Sequence, residues 1–180
     1  MPASIALFQT LRNSKSLFMG ISLMMLCTQY AIPLEPVPIT LQTVGVLLIG
    51  LTYSRKLAVQ TMAGYLGLGA MGLPVFSHFT GGLSVLMGPT GGYLLGFLAA
   101  VYVMASLREK FSKESWLFFA GLALLGNIMI IGCGVLWLSK FVGIQQAFSL
   151  GILPFVMSGL LKAALLSSVL YGTKKLKIEF

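Results

Sequence analysis

Lys162 lies in the middle of an apolar stretch running from Leu150 to Tyr171. An ammonium at membrane depth is costly unless it is paired or hydrated, so such a residue is a binding-site candidate by default. The chain has four carboxylates, Glu35, Glu109, Glu114 and Glu179, and none is close to Lys162 in sequence. Its counter-ion is therefore expected to arrive from outside the chain, and the chemistry to be capture of a small anion. The other polar residues within apolar segments are Gln29, Thr40, Gln42, Gln60, Asn127 and Ser158. Ser158 and Gly159 precede Lys162 by about one helical turn, which leaves a small polar notch above the ammonium.

Other chemistries lack their parts. A metal site needs clustered histidines, cysteines or carboxylates, and the chain has one histidine with its four glutamates scattered. No metal or cofactor is expected. An intramembrane serine protease would need a Ser–His pair, but Val156-Met157-Ser158-Gly159 lacks a glycine two residues before the serine. His78 reads as a loop histidine packed among Phe76 and Phe79 rather than as a base. Enzyme activity is not expected. A channel subunit stays open as a competing class, since one intramembrane cation per chain serves an anion pore only in an oligomer. Snorkelling of Lys162 to an interface is the bland alternative.

The elements that must position these residues are membrane spans. Of 180 residues, 57% are hydrophobic and 9% charged, against about 25% charged in a soluble domain. The expectation is one all-α, polytopic domain over residues 1–180, with six transmembrane helices at about 17–33, 39–54, 56–72, 91–107, 115–139 and 152–172. Pro33, Pro36 and Pro38 break the chain between the first two. Residues 72–92, with Pro74, Pro89 and several glycines, form an irregular outer loop, expected to pack on protein or line a cavity rather than face lipid. No removable signal peptide is read at the N-terminus. Cys27 and Cys133 lie in apolar segments and form no disulfide framework.

Six spans put Arg12, Lys15, Arg55, Lys56, Arg108, Lys110, Lys113, Lys174, Lys175 and Lys177 on one side, opposite Lys140 and Glu35. The positive-inside rule makes that side, with both termini, cytoplasmic, in a bacterial-type plasma membrane. The net charge of +8 is thus a topology signal with some attraction to anionic lipid, not a nucleic-acid footprint. Thr40 and Gln42 then open span two on the outer side, and Lys162 floors an outward-facing pocket about 15 Å deep in span six. Gly92, Gly96 and Ala100 repeat every four residues and are expected to pack against another helix of the same chain. Gln29 and Gln60 are expected to make interhelical hydrogen bonds.

Several ordered motifs are more specific. Pro36-Val37-Pro38-Ile39-Thr40-Leu41-Gln42-Thr43, Gly69-Ala70-Met71-Gly72-Leu73-Pro74-Val75-Phe76, Gly81-Gly82 and Gly88-Pro89-Thr90-Gly91-Gly92-Tyr93 resemble the BioY family, the biotin-specific substrate-binding components of energy-coupling-factor (ECF) transporters. Pro154-Phe155 to Lys162 resembles the family's sixth helix, whose lysine meets the biotin carboxylate. The resemblance implies a six-helix protein that captures biotin outside and docks on a membrane coupling subunit bearing two ATPases, although some members are described as working alone. It implies biotin as transported substrate, with Lys162 on the carboxylate, Thr40 and Gln42 at the pocket mouth, and Phe76, Gly82, Gly92 and Tyr93 in the roof. Ser158 and Asn127 complete the candidate set, Asn127 on its depth alone. A different small carboxylate is the alternative ligand.

Two positions depart from the family. An aspartate is usual three residues before the lysine, where this chain has Gly159, and a glycine is usual where it has Glu35. The acid has in effect moved from helix to loop, which is expected to leave Lys162 without a close partner until ligand arrives. The alternative is that Gly159 loosens recognition of the ring and widens the specificity. Helix one shows a small-residue docking face only as Ser16 and Gly20, with Gly64, Gly67 and Gly69 as other candidates. No nucleotide-binding loop is present, so ATP use would belong to partners.

Overall fold

The computed structural model describes residues 3–111 and 115–175. Of the charges used above, Lys113, Glu114, Lys177 and Glu179 lie outside the described residues, as does the side chain of Lys174. The described residues are helical nearly throughout, and helices with shifted ends are found at five of the six expected places. These are α1 (Ala3–Gln29), α3 (Arg55–Ala70), α5 (Gly91–Phe111), α6 (Trp116–Val142) and α8 (Leu153–Lys175). Two short helices were not anticipated, α4 (Leu83–Met87) and α7 (Ile144–Gly151). Among the described residues, three stretches are each long and apolar enough to cross a bilayer: Gly91–Phe111, Trp116–Val142 and Ile144–Thr173.

The expected second span is the one that changes. Helix α2 runs only over Gln42–Thr52, 11 residues or about 16 Å. Residues 39–40 belong instead to a two-stranded antiparallel ribbon, β1 (Ala31–Ile32) with β2 (Ile39–Thr40), pairing Ala31 with Thr40 and Ile32 with Ile39. The prolines between the strands remove backbone donors and fix φ, so helix cannot continue through them, while β-branched Ile39 and Thr40 favour extended backbone. Leu41 N–H closes the ribbon on Tyr30 O at 3.1 Å. The same ribbon ends α1 at Gln29 rather than near residue 33.

The 72–92 segment is irregular as anticipated, with a 3-10 turn at Ser77–Phe79 followed by α4. His78 and Phe79 both have left-handed backbone, φ 57° and 54°, and both are exposed, so His78 is not packed between phenylalanines. Helix α6 begins with Ser115 accepting from Phe118 N–H at 3.2 Å and ends at Gly143, whose φ of 81° suits a residue without Cβ.

Helices α5 and α6 form the most extensively packed pair; α2 packs on both, α8 on α6 and α2, α3 on α5, and α1 on α3 and α2. The small residues of α5 face α6 within the chain. A Cβ on Gly92 would collide with Trp137, and one on Gly96 would lie 3.1 Å from Ile130 Cα. Gly20 and Gly64 similarly let α1 and α3 approach, since a Cβ on Gly20 would sit 2.6 Å from Thr61 and one on Gly64 would sit 3.0 Å from Ile21. Gly67 has open space beyond it.

One end of the bundle is tied by polar contacts. Arg108 donates to Thr52 O (3.2 Å) and Tyr53 O (2.6 Å), satisfying carbonyls at the end of α2. Glu109 accepts from Arg55 N–H at 2.6 Å, at the start of α3. Tyr53 Oη donates to Ser16 O of α1 at 2.7 Å. The α2–α3 junction, the end of α5 and the middle of α1 at Ser16 therefore lie together, on the side to which the charge pattern assigns Arg12, Lys15, Arg55, Lys56 and Arg108. Replacing Gly92 with Val is expected to lower stability by about 1–3 kcal/mol through overpacking, whereas Gly67→Ala should be near neutral. Thermal unfolding of the detergent-purified protein measures both.

Candidate functional site

The site grows from the end of β2. Thr40 is extended rather than helical, so its carbonyl stays outside the hydrogen-bond ladder of α2. Lys162 Nζ, reaching across from α8, donates to Thr40 O at 2.8 Å and to Thr43 Oγ1 at 2.7 Å. The expectation that Lys162 lacks a close partner is thus corrected: it has two, both uncharged, at the first turn of α2. Glu35 is exposed in the loop and makes no ion pair with Lys162. An ammonium has three donors, and among the described residues two are used.

The placement is electrostatically unusual. The N-terminus of a helix carries partial positive charge and favours anions, yet the group drawn to the start of α2 is a cation. Leu41 supplies no side-chain cap. Thr40 Oγ1 accepts from Gln42 N–H at 3.2 Å, and Leu41 O accepts from Val44 and Gly45. Thr40 O and Thr43 Oγ1 hold the ammonium, but among the described residues no charged group neutralises it. Ammonium and helix terminus add their positive potentials at one point.

Beside this point is a cavity walled mostly by apolar side chains, Val37, Val85, Leu94, Phe97, Ile130, Ile131 and Phe155 among them. Of the candidate residues, Thr40, Gln42, Phe76, Tyr93, Asn127 and Ser158 line it, together with Thr43 and Gly159. Lys162 is not among the lining residues, but its ammonium bonds to Thr40 and Thr43, which are. Gly82 and Gly92 do not line it either. Gly82 turns the loop with φ 101° and donates its N–H to Gly69 O at 2.7 Å, while Gly92 is buried against Trp137. Both are structural.

The polar side chains are mostly committed. Tyr93 Oη donates to Gly151 O at 3.1 Å, so Tyr93 offers its ring, stacked at 5.5 Å on Phe155, rather than its hydroxyl. Ser158 Oγ donates to Phe155 O at 3.2 Å. Gln42 Oε1 accepts from Thr40 Oγ1 at 3.1 Å and Gln42 Nε2 donates to Tyr65 Oη at 2.7 Å. Asn127 Nδ2 donates to Gly159 O at 3.1 Å.

Tyr65 is the residue the sequence did not reveal. Its buried hydroxyl accepts from Gln42, donates to Val75 O at 2.9 Å and meets Thr28 Oγ1 at 2.8 Å. One oxygen thereby links α1, α2, α3 and the outer loop. Its ring packs edge-on to Phe76 at 5.6 Å, and Phe76 in turn lies on Gly69, where any Cβ would collide with the ring. Gln29 extends the connection, donating Nε2 to Phe76 O (3.3 Å) and accepting from Phe79 N–H (3.2 Å). It grips loop backbone rather than another helix, and Gln60 is exposed on α3, so neither makes the expected interhelical bond. Trp137 Nε1 secures the far side of the loop on Gly88 O at 2.9 Å. A tyrosine inside an apolar helix must find a polar partner, the one signal that could have singled out Tyr65.

Three comparisons bear on this site. A model of the BioY family matches residues 3–178. The chain belongs to the BioY family. It is 43% identical over 150 residues to the biotin transporter BioY of Thermotoga maritima, spanning 83% of this chain and 88% of that protein. It is 36% identical to the probable biotin transporter BioY of Rickettsia prowazekii, spanning 88% and 81%. Among solved structures it matches an S-component for biotin from an ECF-type ABC transporter with a TM-score of 0.84 and 24% identity, covering 97% of this chain and 95% of the other. The mainly helical fold, with apolar helices long enough to cross a membrane, is that of the matched S-component, and the named relatives are transporters rather than enzymes.

Tyr65→Phe removes one oxygen and strands the Gln42 amide and the Val75 carbonyl. It is expected to cost about 1–3 kcal/mol, read as a lowered melting temperature without ligand.

Proposed function

We propose that this protein takes up biotin, capturing it on the outer face of a bacterial-type plasma membrane and delivering it inward. The observation that carries the reading is the Lys162 ammonium held against the first turn of α2 beside a largely apolar cavity. The valerate carboxylate of biotin suits the combined positive potential of lysine and helix terminus. Its fused ring suits the walls of Phe76, Tyr93, Phe97 and Phe155. The names of the Thermotoga and Rickettsia relatives support the same ligand.

In this reading Lys162 anchors the carboxylate, exchanging the Thr43 hydroxyl or the Thr40 carbonyl for a charged partner. Thr40, Gln42, Phe76, Tyr93, Asn127 and Ser158 form the pocket, and residues 72–93 form its lid. Six spans with cytoplasmic termini agree with the grouping of Arg55, Arg108 and the middle of α1 at Ser16. Energy would come from an ECF coupling subunit and two ATPase subunits, as the S-component relationship supports, with solitary operation distinguished by uptake in their absence.

The test is radiolabelled biotin uptake in transporter-deficient cells. Wild-type protein is expected to restore uptake, and Lys162→Ala to weaken binding roughly ten- to a hundredfold, the scale of a charged hydrogen bond. Unchanged uptake by the variant contradicts the anchor role. Uptake of a different small carboxylate in place of biotin contradicts the ligand.

A further inference from the structure

Asn127 and Gly159 form a second polar feature of the cavity, with Gly159 about one turn before Lys162 on α8. Asn127 comes from α6 and is 6% exposed. Its Nδ2 donates to Gly159 O on α8, which uses one of its two N–H groups. Among the described residues neither the second N–H nor Oδ1 has a partner, and the side chain lines the cavity. The carboxamide therefore keeps one donor and its acceptor oxygen available to a ligand in the cavity.

Gly159 makes this arrangement possible. A Cβ there would lie 3.3 Å from Asn127 Cγ, 3.3 Å from Nδ2 and 3.4 Å from Oδ1. The carboxamide therefore fills the direction in which a side chain at 159 would point. A side chain arriving from α6 takes over the place of one missing from α8. What it presents differs from a carboxylate in two respects: it offers a donor as well as an acceptor, and it adds no charge one turn from Lys162.

Resting on the biotin reading, we infer that the Asn127–Gly159 pair is the specificity determinant for the polar head of the ligand, selecting a neutral urea- or amide-like group that both donates and accepts. Lys162 reads the anionic end and the pair reads the neutral end. Cationic heads are disfavoured because the pair offers no counter-charge and Lys162 is nearby.

The test compares biotin with 2-iminobiotin, whose cyclic guanidinium is cationic at neutral pH, on the purified full-length protein. Asn127→Asp replaces the donor with charge at nearly constant shape. Its effect is read as the ratio of the two affinities, which a purely structural loss would not alter. The wild type is expected to prefer biotin, and Asn127→Asp to shift the ratio toward 2-iminobiotin roughly tenfold or more. Equal losses for both ligands overturn the inference and leave Asn127 a packing residue. Gly159→Ala is the second variant, because its methyl must push the carboxamide aside by a few tenths of an ångström. It is expected to weaken biotin several-fold at unchanged melting temperature, and unchanged affinity overturns the inference. Wild-type protein that binds neither ligand overturns the biotin reading and this inference with it, an outcome distinct from equal losses in a protein that binds biotin.

Discussion

A positive charge held at the positive end of a helix is the constraint around which this molecule is arranged. Lys162 crosses from α8 to the first turn of α2, and its two acceptors, Thr40 O and Thr43 Oγ1, are neutral. The contact solves a solvation problem without solving a charge problem. Neutral oxygens replace part of the water an ammonium loses on burial, but they leave its field, and that of the helix terminus, unopposed. Only an anion completes the balance, and among the described residues no carboxylate of the chain is placed to do so.

The surrounding fold makes that contact available. The proline-interrupted ribbon shortens α2, which brings a helix terminus to the depth of the site and frees the Thr40 carbonyl. Tyr65 then fixes the terminus in place, since its hydroxyl bonds Gln42 just past the ribbon and Val75 in the loop overhead. Gln29 and Trp137 hold the same loop from α1 and α6. At the other end, Arg108 and Glu109 secure the exit of α2 and the entry of α3. A helix of 11 residues is thus clamped at both ends by side chains from its neighbours, as befits an element whose first turn must stay where a ligand can find it.

Much of this was legible in the residues. Apolar stretches and the proline and glycine breakers located the helices, and the basic residues gathered at their ends because the cost of burying lysines and arginines is steep and simple. Lys162 stood out for the same reason, and the glycine repeat on α5 found its partner on α6. The start of α2 was misjudged, because Ile39 and Thr40 are apolar enough to extend a span yet are drawn into strand pairing with residues 31–32, a non-local preference that hydropathy does not record. Gly82 and Gly92 were motif residues whose role is backbone geometry and close packing, not contact with the cavity. Tyr65 and Thr43 escaped notice because a hydroxyl's importance depends on what lies opposite it in space. The pairing of Asn127 with Gly159 was hidden for a related reason: a glycine in a sequence shows an absence, and only the fold shows what fills it.

The central claim is that the Lys162 ammonium and the carboxylate of biotin interact directly. A double-mutant cycle measures this most directly, combining Lys162→Met with the change from biotin to its primary amide and reading four binding constants on purified protein. The account predicts strong coupling: the amide binds far more weakly than biotin to the wild type, and nearly as well as biotin to Lys162→Met. Independent, additive losses would contradict it, showing that the lysine and the carboxylate do not meet.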